Sequence, residues 1–370
     1  FSSLANGVSK ARNILMSEDV LAALQAIRQL GINFKLKKNV CKIYGKGVNG
    51  YKYKEKLTIN AENSGTLARL ILGLLVNSPH QIKIIGDKSL SKRDFKRVSD
   101  PLSKFGVKFI LNKGKNLPLK IIGSDKLKPI KYFENRGSAQ CKSAVIFAGM
   151  KTKGLTIIKA KKSRNHTELL CKYLGLPIKV KKMRNFDQIE IKKINKIKPL
   201  NYNIPSDISS SAFFIVLTAL SKNSKLTIKN VNINISRVGI ITILKKMGVK
   251  ILLKNIRIYK GEKIADIEVQ SSNKIKSINC PSNLNSSAID EFLIIFLVAA
   301  KAKGISYFKN LGELNQKESP RLKWGERILN KMGVKTIVKE NCIKIFGNPN
   351  LELNKNIEIK NYMKDHRVFM

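Results

Sequence analysis

The stretch Asn63-Ser64-Gly65-Thr66-Leu67-Ala68-Arg69-Leu70-Ile71-Leu72-Gly73-Leu74-Leu75 opens on short capping residues and then turns almost wholly apolar. That order predicts a buried helix whose N-terminus is left uncovered. Free amide N–H groups and the positive end of the helix dipole gather at such an end, and Ser64, Gly65 and Thr66 leave room there for a phosphate or carboxylate. The same design recurs. Gly137-Ser138-Ala139-Gln140 precedes Ser143-Ala144-Val145-Ile146-Phe147-Ala148, and Ser206-Asp207-Ile208-Ser209-Ser210-Ser211 precedes Ala212-Phe213-Phe214-Ile215. Ile289-Asp290-Glu291 precedes Phe292-Leu293-Ile294-Ile295, and Lys364-Asp365-His366-Arg367-Val368-Phe369-Met370 reads as the opening of one more. A repeat architecture with anion-binding helix ends follows.

A second recurring phrase is an amphipathic helix closed by glycine and followed by a β-like run. It occurs at Leu30-Gly31-Ile32, Phe105-Gly106-Val107, Leu174-Gly175-Leu176, Met247-Gly248-Val249 and Met332-Gly333-Val334. Glycine suits the left-handed position that ends a helix. The copies stand roughly 70 to 85 residues apart, too far for a solenoid repeat and right for an α/β unit of two helices and several strands. Each unit then reads as a buried helix, a strand such as Gln81-Ile82-Lys83-Ile84-Ile85 or Lys225-Leu226-Thr227-Ile228, an amphipathic helix and a strand pair. Phe1-Ser2-Ser3-Leu4-Ala5-Asn6-Gly7 reads as the tail of a buried helix; counting it and the last opening gives six units. Polar residues and a proline at Asn201-Tyr202-Asn203-Ile204-Pro205-Ser206 suggest a crossover, so lobes are expected over 1–203 and 204–370. The lysine-rich, alternating run from Lys179 to Pro199 reads as an exposed strand pair.

Lys and Arg total 71 against 25 Asp and Glu, a formal charge of +46. Such an excess invites a nucleic-acid or anionic-substrate reading. The lysines are spread along the chain, Lys, Ile and Asn dominate throughout, and aromatic content is 7%. This is the composition of an AT-rich genome, without the clustered basic face or stacking aromatics of a nucleic-acid binder. Five scattered cysteines without a Cys-x-x-Cys pair suggest neither a disulfide framework nor a zinc site, and fit a reducing cytoplasm. The run from Phe292 to Ala300 is about half the ~20 residues that a membrane helix needs.

Charged clusters stand apart from the apolar helices: Arg93 and Arg97 within Asp87-Lys88-Ser89-Leu90-Ser91-Lys92-Arg93-Asp94-Phe95-Lys96-Arg97, and Lys317-Glu318-Ser319-Pro320-Arg321. Arginines converging with helix N-termini imply a polyanionic ligand. Taken in order, Ser17-Glu18-Asp19, Asn63-Ser64-Gly65-Thr66 with Arg69, Gly86-Asp87-Lys88-Ser89-Leu90, Ser138-Ala139-Gln140 and Ser163-Arg164-Asn165-His166-Thr167-Glu168 open a longer pattern. It continues through Pro205-Ser206-Asp207-Ile208-Ser209-Ser210, Asp290-Glu291, Lys317-Glu318-Ser319 and Asp365-His366-Arg367. This series resembles the enolpyruvyl transferases, and within them the branch that acts on shikimate 3-phosphate. The resemblance implies an α/β fold of two lobes, each of three repeated units, with helix N-termini facing an interdomain cleft.

It also implies roles. Asn63, Gly65, Arg93, Gln140, Arg321 and Arg367 match residues around phosphoenolpyruvate; Ser138, Ala139, Gln140, Ser163, Arg164, Asp290 and Lys317 match those around shikimate 3-phosphate. Asp290 matches the carboxylate that accepts the 5-hydroxyl proton, and Glu318 the group associated with proton transfer at the methylene carbon. In the family, glyphosate occupies the phosphoenolpyruvate site beside the position of Gly65. The implied partners are the two small-molecule substrates, with no metal or organic cofactor, no nucleic acid and no membrane, in a cytoplasmic monomer.

Departures from the pattern are Asn165 and Pro320 in place of acidic residues, and Asn315-Gln316 in place of a more common Arg-Val pair. They predict altered packing behind the site rather than lost chemistry. His166 and His366 fit a structural hydrogen-bonding role at least as well as proton transfer. The related branch acting on UDP-N-acetylglucosamine carries a reactive cysteine in the loop matching 86–97, where this chain has none. The family pattern also places a strand with a Lys-Ser pair and an Arg before Phe1, and a further lysine after Met370. The 370 residues alone are therefore expected either to aggregate or to bind substrate weakly without turnover.

Overall fold

The computed structural model describes residues 1–317, 319–352 and 365–369. The chain divides into two compact units, Phe1–Ile204 and Pro205–Met370, each around its own apolar core.

Unit 1 runs through β1 (Asn6–Arg12), α1 (Glu18–Gln29), β2 (Phe34–Lys37) and β3 (Val40–Lys46), then β4 (Thr58–Asn60), α2 (Gly65–Leu74), β5 (Ile82–Ile85), α3 (Lys96–Ser103), β6 (Lys108–Asn112) and β7 (Asn116–Ile122). The pattern repeats in β8 (Lys131–Glu134), α4 (Ala139–Lys151), β9 (Leu155–Lys161), α5 (His166–Tyr173), β10 (Ile178–Lys182) and β11 (Phe186–Lys192), and β12 (Asn201–Asn203) closes the unit. Each repeat thus begins with a short strand ahead of its buried helix, and this strand pairs parallel to the next one: β4 with β5, β8 with β9. The first repeat borrows its parallel partner from β12, which pairs with β1 at Lys10↔Asn201. The resulting sheets have orders β12-β1-β3-β2, β4-β5-β7-β6 and β10-β11-β9-β8.

Unit 2 comprises α6 (Ile208–Leu220), β13 (Lys225–Asn232), α7 (Gly239–Lys246), β14 (Lys250–Tyr259), β15 (Glu262–Gln270), α8 (Asn285–Ala288), α9 (Phe292–Ala300) and β16 (Gly304–Phe308). It continues with α10 (Arg321–Lys331), β17 (Thr336–Lys339), β18 (Cys342–Gly347) and α11 (His366–Phe369). Its sheets, β13-β15-β14 and β16-β18-β17, are antiparallel. The leading strand shrinks to isolated parallel bridges, Ser206↔Val231, Lys276↔Lys303 and Asn279↔Tyr307.

Apolar all-round helices occupy the cores, as their sequences demand. In α4 every residue from Cys141 to Lys151 is buried, and Phe292, Phe296 and Phe308 form a ring cluster with centroids 5.2–5.9 Å apart. Burying one such ring or aliphatic side chain contributes about 1.5–3 kcal/mol. Small residues decide how close the helices come: a Cβ on Gly73 of α2 would lie 2.1 Å from the carbonyl oxygen of Ala144 in α4. The amphipathic helices end on Gly31, Gly106, Gly175, Gly248 and Gly333, all at positive φ, the left-handed closure expected from the sequence.

Two expectations need correction. Phe1 to Gly7 is not a helix tail; a 3-10 turn spans Ser2–Leu4, and Asn6 and Gly7 already lie in β1. The repeat also begins one element earlier than its sequence signature, because three- or four-residue polar strands such as β4 and β12 carry no periodicity to read. Among the described residues, no helix is long and apolar enough to cross a membrane.

Candidate functional site

In unit 1 the N-termini of α2 and α4 are built alike. Ser64 Oγ accepts from the Leu67 amide at 3.2 Å, and Ser138 Oγ from the Cys141 amide at 3.3 Å. Each cap satisfies one helix-end donor and leaves the neighbouring amides for an anion. The buried Arg69 then stitches the two ends together. Its guanidinium donates to the Gly65 carbonyl at 3.2 Å and to Gln140 Oε1 at 2.9 Å, while Gln140 Nε2 donates to Thr66 Oγ1 at 2.8 Å. Arg93 converges on the same point: a Cβ at Gly65 would stand 2.7 Å from one guanidinium nitrogen of Arg69 and 3.0 Å from one of Arg93. Two cations thus flank an uncovered helix end.

The other sequence-predicted residues of unit 1 support or border this point. Asn63 donates to Asp87 Oδ2 at 2.7 Å, and Asp87 Oδ1 accepts from the Leu90 amide at 2.7 Å, which orders the loop carrying Arg93. Behind Ser138, Glu134 accepts from the amides of Arg136 and Ser138 at 3.2 and 2.9 Å. Burial outweighs those amides and pushes the Glu134 carboxyl above its ordinary range. Ala139 offers α4's first helical amide, and Ser163 and Arg164 lead into α5. The Ser163 hydroxyl is buried and has no hydrogen-bond partner among the described residues.

In unit 2, Asp290 Oδ1 accepts from Arg321 at 3.0 Å and lies 3.3 Å from Lys317 Nζ. Arg321, at 4% side-chain exposure, also forks onto Asp365, Nε to Oδ2 at 3.0 Å and NH2 to Oδ1 at 3.3 Å. Asp365 further accepts from Ser319 Oγ at 2.7 Å and from the Arg367 amide at 3.2 Å. The Arg367 side chain donates to the Ser209 carbonyl at 3.1 Å, and Ser209 Oγ donates to Glu291. Arg237 closes the cluster, donating to Ser209 Oγ at 2.6 Å and Asp207 Oδ1 at 2.9 Å. Burial, reinforced by the neighbouring Asp290, raises the Glu291 carboxyl. Burial acts to raise Asp207 as well, but Arg237 and the Ser210 amide together hold it below the ordinary range. Such ionic pairs sharpen geometry because each charge is met by charge-assisted hydrogen bonds.

Asp290, Lys317, Arg321 and Arg367 are therefore brought into one network within unit 2, as Gly65, Arg93 and Gln140 are within unit 1. Glu318 lies outside the described residues, and so does the side chain of His366. Pro320 occupies the N-cap position of α10, just ahead of Arg321. Arg69, Ser209, Arg237, Glu291 and Asp365 are neighbours in these networks to which the sequence assigned no role. Arg69 stands one helical turn after Gly65, a spacing that could have exposed it.

A family model described as EPSP synthase (3-phosphoshikimate 1-carboxyvinyltransferase) matches residues 1–370. The chain belongs to the EPSP synthase family. Its similarity to the 3-phosphoshikimate 1-carboxyvinyltransferase of Caldicellulosiruptor bescii is 39% identity over 100% of this chain and 84% of that protein. The protein of the same name from Ruthia magnifica is 40% identical over 100% of this chain and 82% of its own length. A solved EPSP synthase from Acinetobacter baumannii superposes with a TM-score of 0.83 at 35% identity, covering 94% of this chain and 78% of that one. The mixed α/β repeats are thus those of EPSP synthases.

Proposed function

We propose that the two residue networks divide the EPSP synthase reaction between them, with the Asp290–Arg321–Lys317 cluster as the observation that carries the assignment. As an EPSP synthase family member the chain is a transferase of the shikimate pathway, moving the enolpyruvyl group of phosphoenolpyruvate to the 5-hydroxyl of shikimate 3-phosphate with release of phosphate. Asp290, positioned by Arg321 at 3.0 Å and Lys317 at 3.3 Å, takes the 5-hydroxyl proton as that oxygen attacks the enol carbon. Glu318 handles the proton at the methylene carbon. Only the transfer at the methylene carbon runs backwards as phosphate leaves the tetrahedral intermediate: the carbon gives its proton back to the acid that supplied it, and Asp290 passes the hydroxyl proton to the departing phosphate. Arg93, Arg321 and Arg367 hold phosphoenolpyruvate, with Asn63, Gly65 and Gln140 beside it. Ser138, Ala139, Gln140, Ser163, Arg164 and Lys317 hold shikimate 3-phosphate.

Helix-end amides and guanidinium groups suit doubly charged phosphates and stabilise charge that develops in the transition state. The reading makes the protein a cytoplasmic monomer with no nucleic-acid partner. Four buried thiols among five unpaired cysteines are in keeping with a reducing compartment. The deciding experiment is phosphate release by the full-length gene product. It should require both substrates together and collapse in Asp290→Asn. Release that ignored shikimate 3-phosphate would overturn the assignment.

A further inference from the structure

Lys142 is buried in the first turn of α4, where a charge is costly unless compensated. Its side chain is 2% exposed and its Nζ lies 2.7 Å from Glu168 Oε1, itself on a side chain only 4% exposed. The same nitrogen donates to the backbone carbonyl of Arg164 at 2.8 Å. Glu168 Oε2 is buried with no hydrogen-bond partner among the described residues, so Lys142 supplies its main compensation. One residue further along α4, Ser143 Oγ and Thr167 Oγ1 are 2.7 Å apart. Consecutive residues of α4 therefore clasp the first turn of α5 and the segment that leads into it.

Packing alone does not account for this arrangement, because a well-matched apolar pair fills such a space at least as stably as a buried ion pair. What an apolar pair cannot do is donate to the Arg164 carbonyl. α4 carries Ser138, Ala139 and Gln140 at its N-terminus, with Lys142 and Ser143 just after them. One rigid helix thus holds one set of phosphate-binding groups directly and fixes the backbone of a second set, Ser163 and Arg164, through a single donor.

We propose that Lys142, held by Glu168, is a positioning residue that sets the Ser163–Arg164 segment for shikimate 3-phosphate. This rests on the reading of Ser163 and Arg164 as ligands of that substrate. Removing one partner of a buried pair strands the other charge, so Lys142→Met and Glu168→Met should each lower the melting temperature. The double variant Lys142→Met/Glu168→Met removes both charges and should melt close to wild type. It should nevertheless bind shikimate 3-phosphate about tenfold more weakly, with kcat at saturation and the KM for phosphoenolpyruvate within about threefold. Glu168→Gln keeps the volume and lets Lys142 go on donating to Arg164, and should hold the KM for shikimate 3-phosphate within about threefold. Wild-type affinity in the double variant, or equal loss for both substrates, would show that the pair is only structural. Arg164→Ala is the control: no loss of shikimate 3-phosphate affinity there would remove the underlying reading, and the proposal with it.

Discussion

Arg69 in the first unit donates to a backbone carbonyl and a side-chain amide, whereas Arg321 in the second donates to two carboxylates. Neutral acceptors such as these aim a guanidinium without cancelling its charge, so that a phosphate arriving at the end of α2 meets an oriented cation. Carboxylate acceptors cancel much of it, and in return Arg321 and Lys317 fix the Asp290 carboxylate in place, at 3.0 and 3.3 Å. On the proposed reading, arginine serves capture alone in the first unit, whereas in the second Arg321 both holds substrate and anchors the proposed base Asp290. The surrounding acceptors, more than the arginines, set the role.

The sharpest way to break this comparison is Asp290→Asn. It should lower kcat by roughly 10²-fold or more, with a smaller effect on substrate affinity, as for a positioned base. Single-turnover phosphate release separates the two effects. If only the KM values rose, the second unit's cluster would be a capture site like the first. Next in size is Arg93→Lys, which trades a planar fork for a point charge. The KM for phosphoenolpyruvate should rise about 10- to 100-fold while kcat changes less. A kcat loss matching that of Asp290→Asn would dissolve the division.

Gly65→Ala probes the capture side more gently. Its new methyl would stand 2.7 Å from one guanidinium nitrogen and 3.0 Å from another, so Arg69 and Arg93 must swing outward. The KM for phosphoenolpyruvate should rise a few-fold, roughly 3 to 10, and the inhibition constant of the bulkier glyphosate should rise more. Equal shifts in titrations of both would argue against crowding at Gly65. The smallest effect concerns Glu291, whose carboxyl burial pushes up. A carboxyl with a raised folded-state value adds stability below its ordinary range and loses it as pH climbs through the raised value. Glu291→Gln cannot titrate, so its melting temperature relative to wild type should improve by a few degrees, about 2 to 4, between pH 5 and pH 8. The opposite trend would mean that Arg237 and Arg367 keep Glu291 ionised.

Much of this was legible in the sequence, for physical reasons. Ser64, Ser138 and Asp207 announce helix starts because their side chains accept from amides three residues on, at Leu67, Cys141 and Ser210, and that chemistry is local. The leading strands were not legible, since a three-residue strand such as Thr58–Asn60 takes its pairing from elsewhere in the chain. Lys142 went unread, and Arg69 entered only as part of the family pattern, without a role. A lone cation in an apolar run says nothing of its acceptors, and Gln140 lies 71 positions from Arg69. Asp365 could have been read from its place beside Arg367, had the carboxylate been given a role.

The contact between Gly73 and Ala144 has one more consequence. Gly73 stands eight residues beyond Gly65 in α2, about 12 Å along the helix axis, and so away from the proposed ligands. A side chain there could fit only as a wedge, because its first carbon would meet the Ala144 carbonyl at 2.1 Å. Prising the two axes apart would loosen Thr66 and Arg69 from Gln140 at the opposite end, as a lever transmits a small push. Substitutions that alter substrate or inhibitor affinity should therefore arise in this chain at a position that touches neither molecule, and a survey confined to the pocket would overlook them.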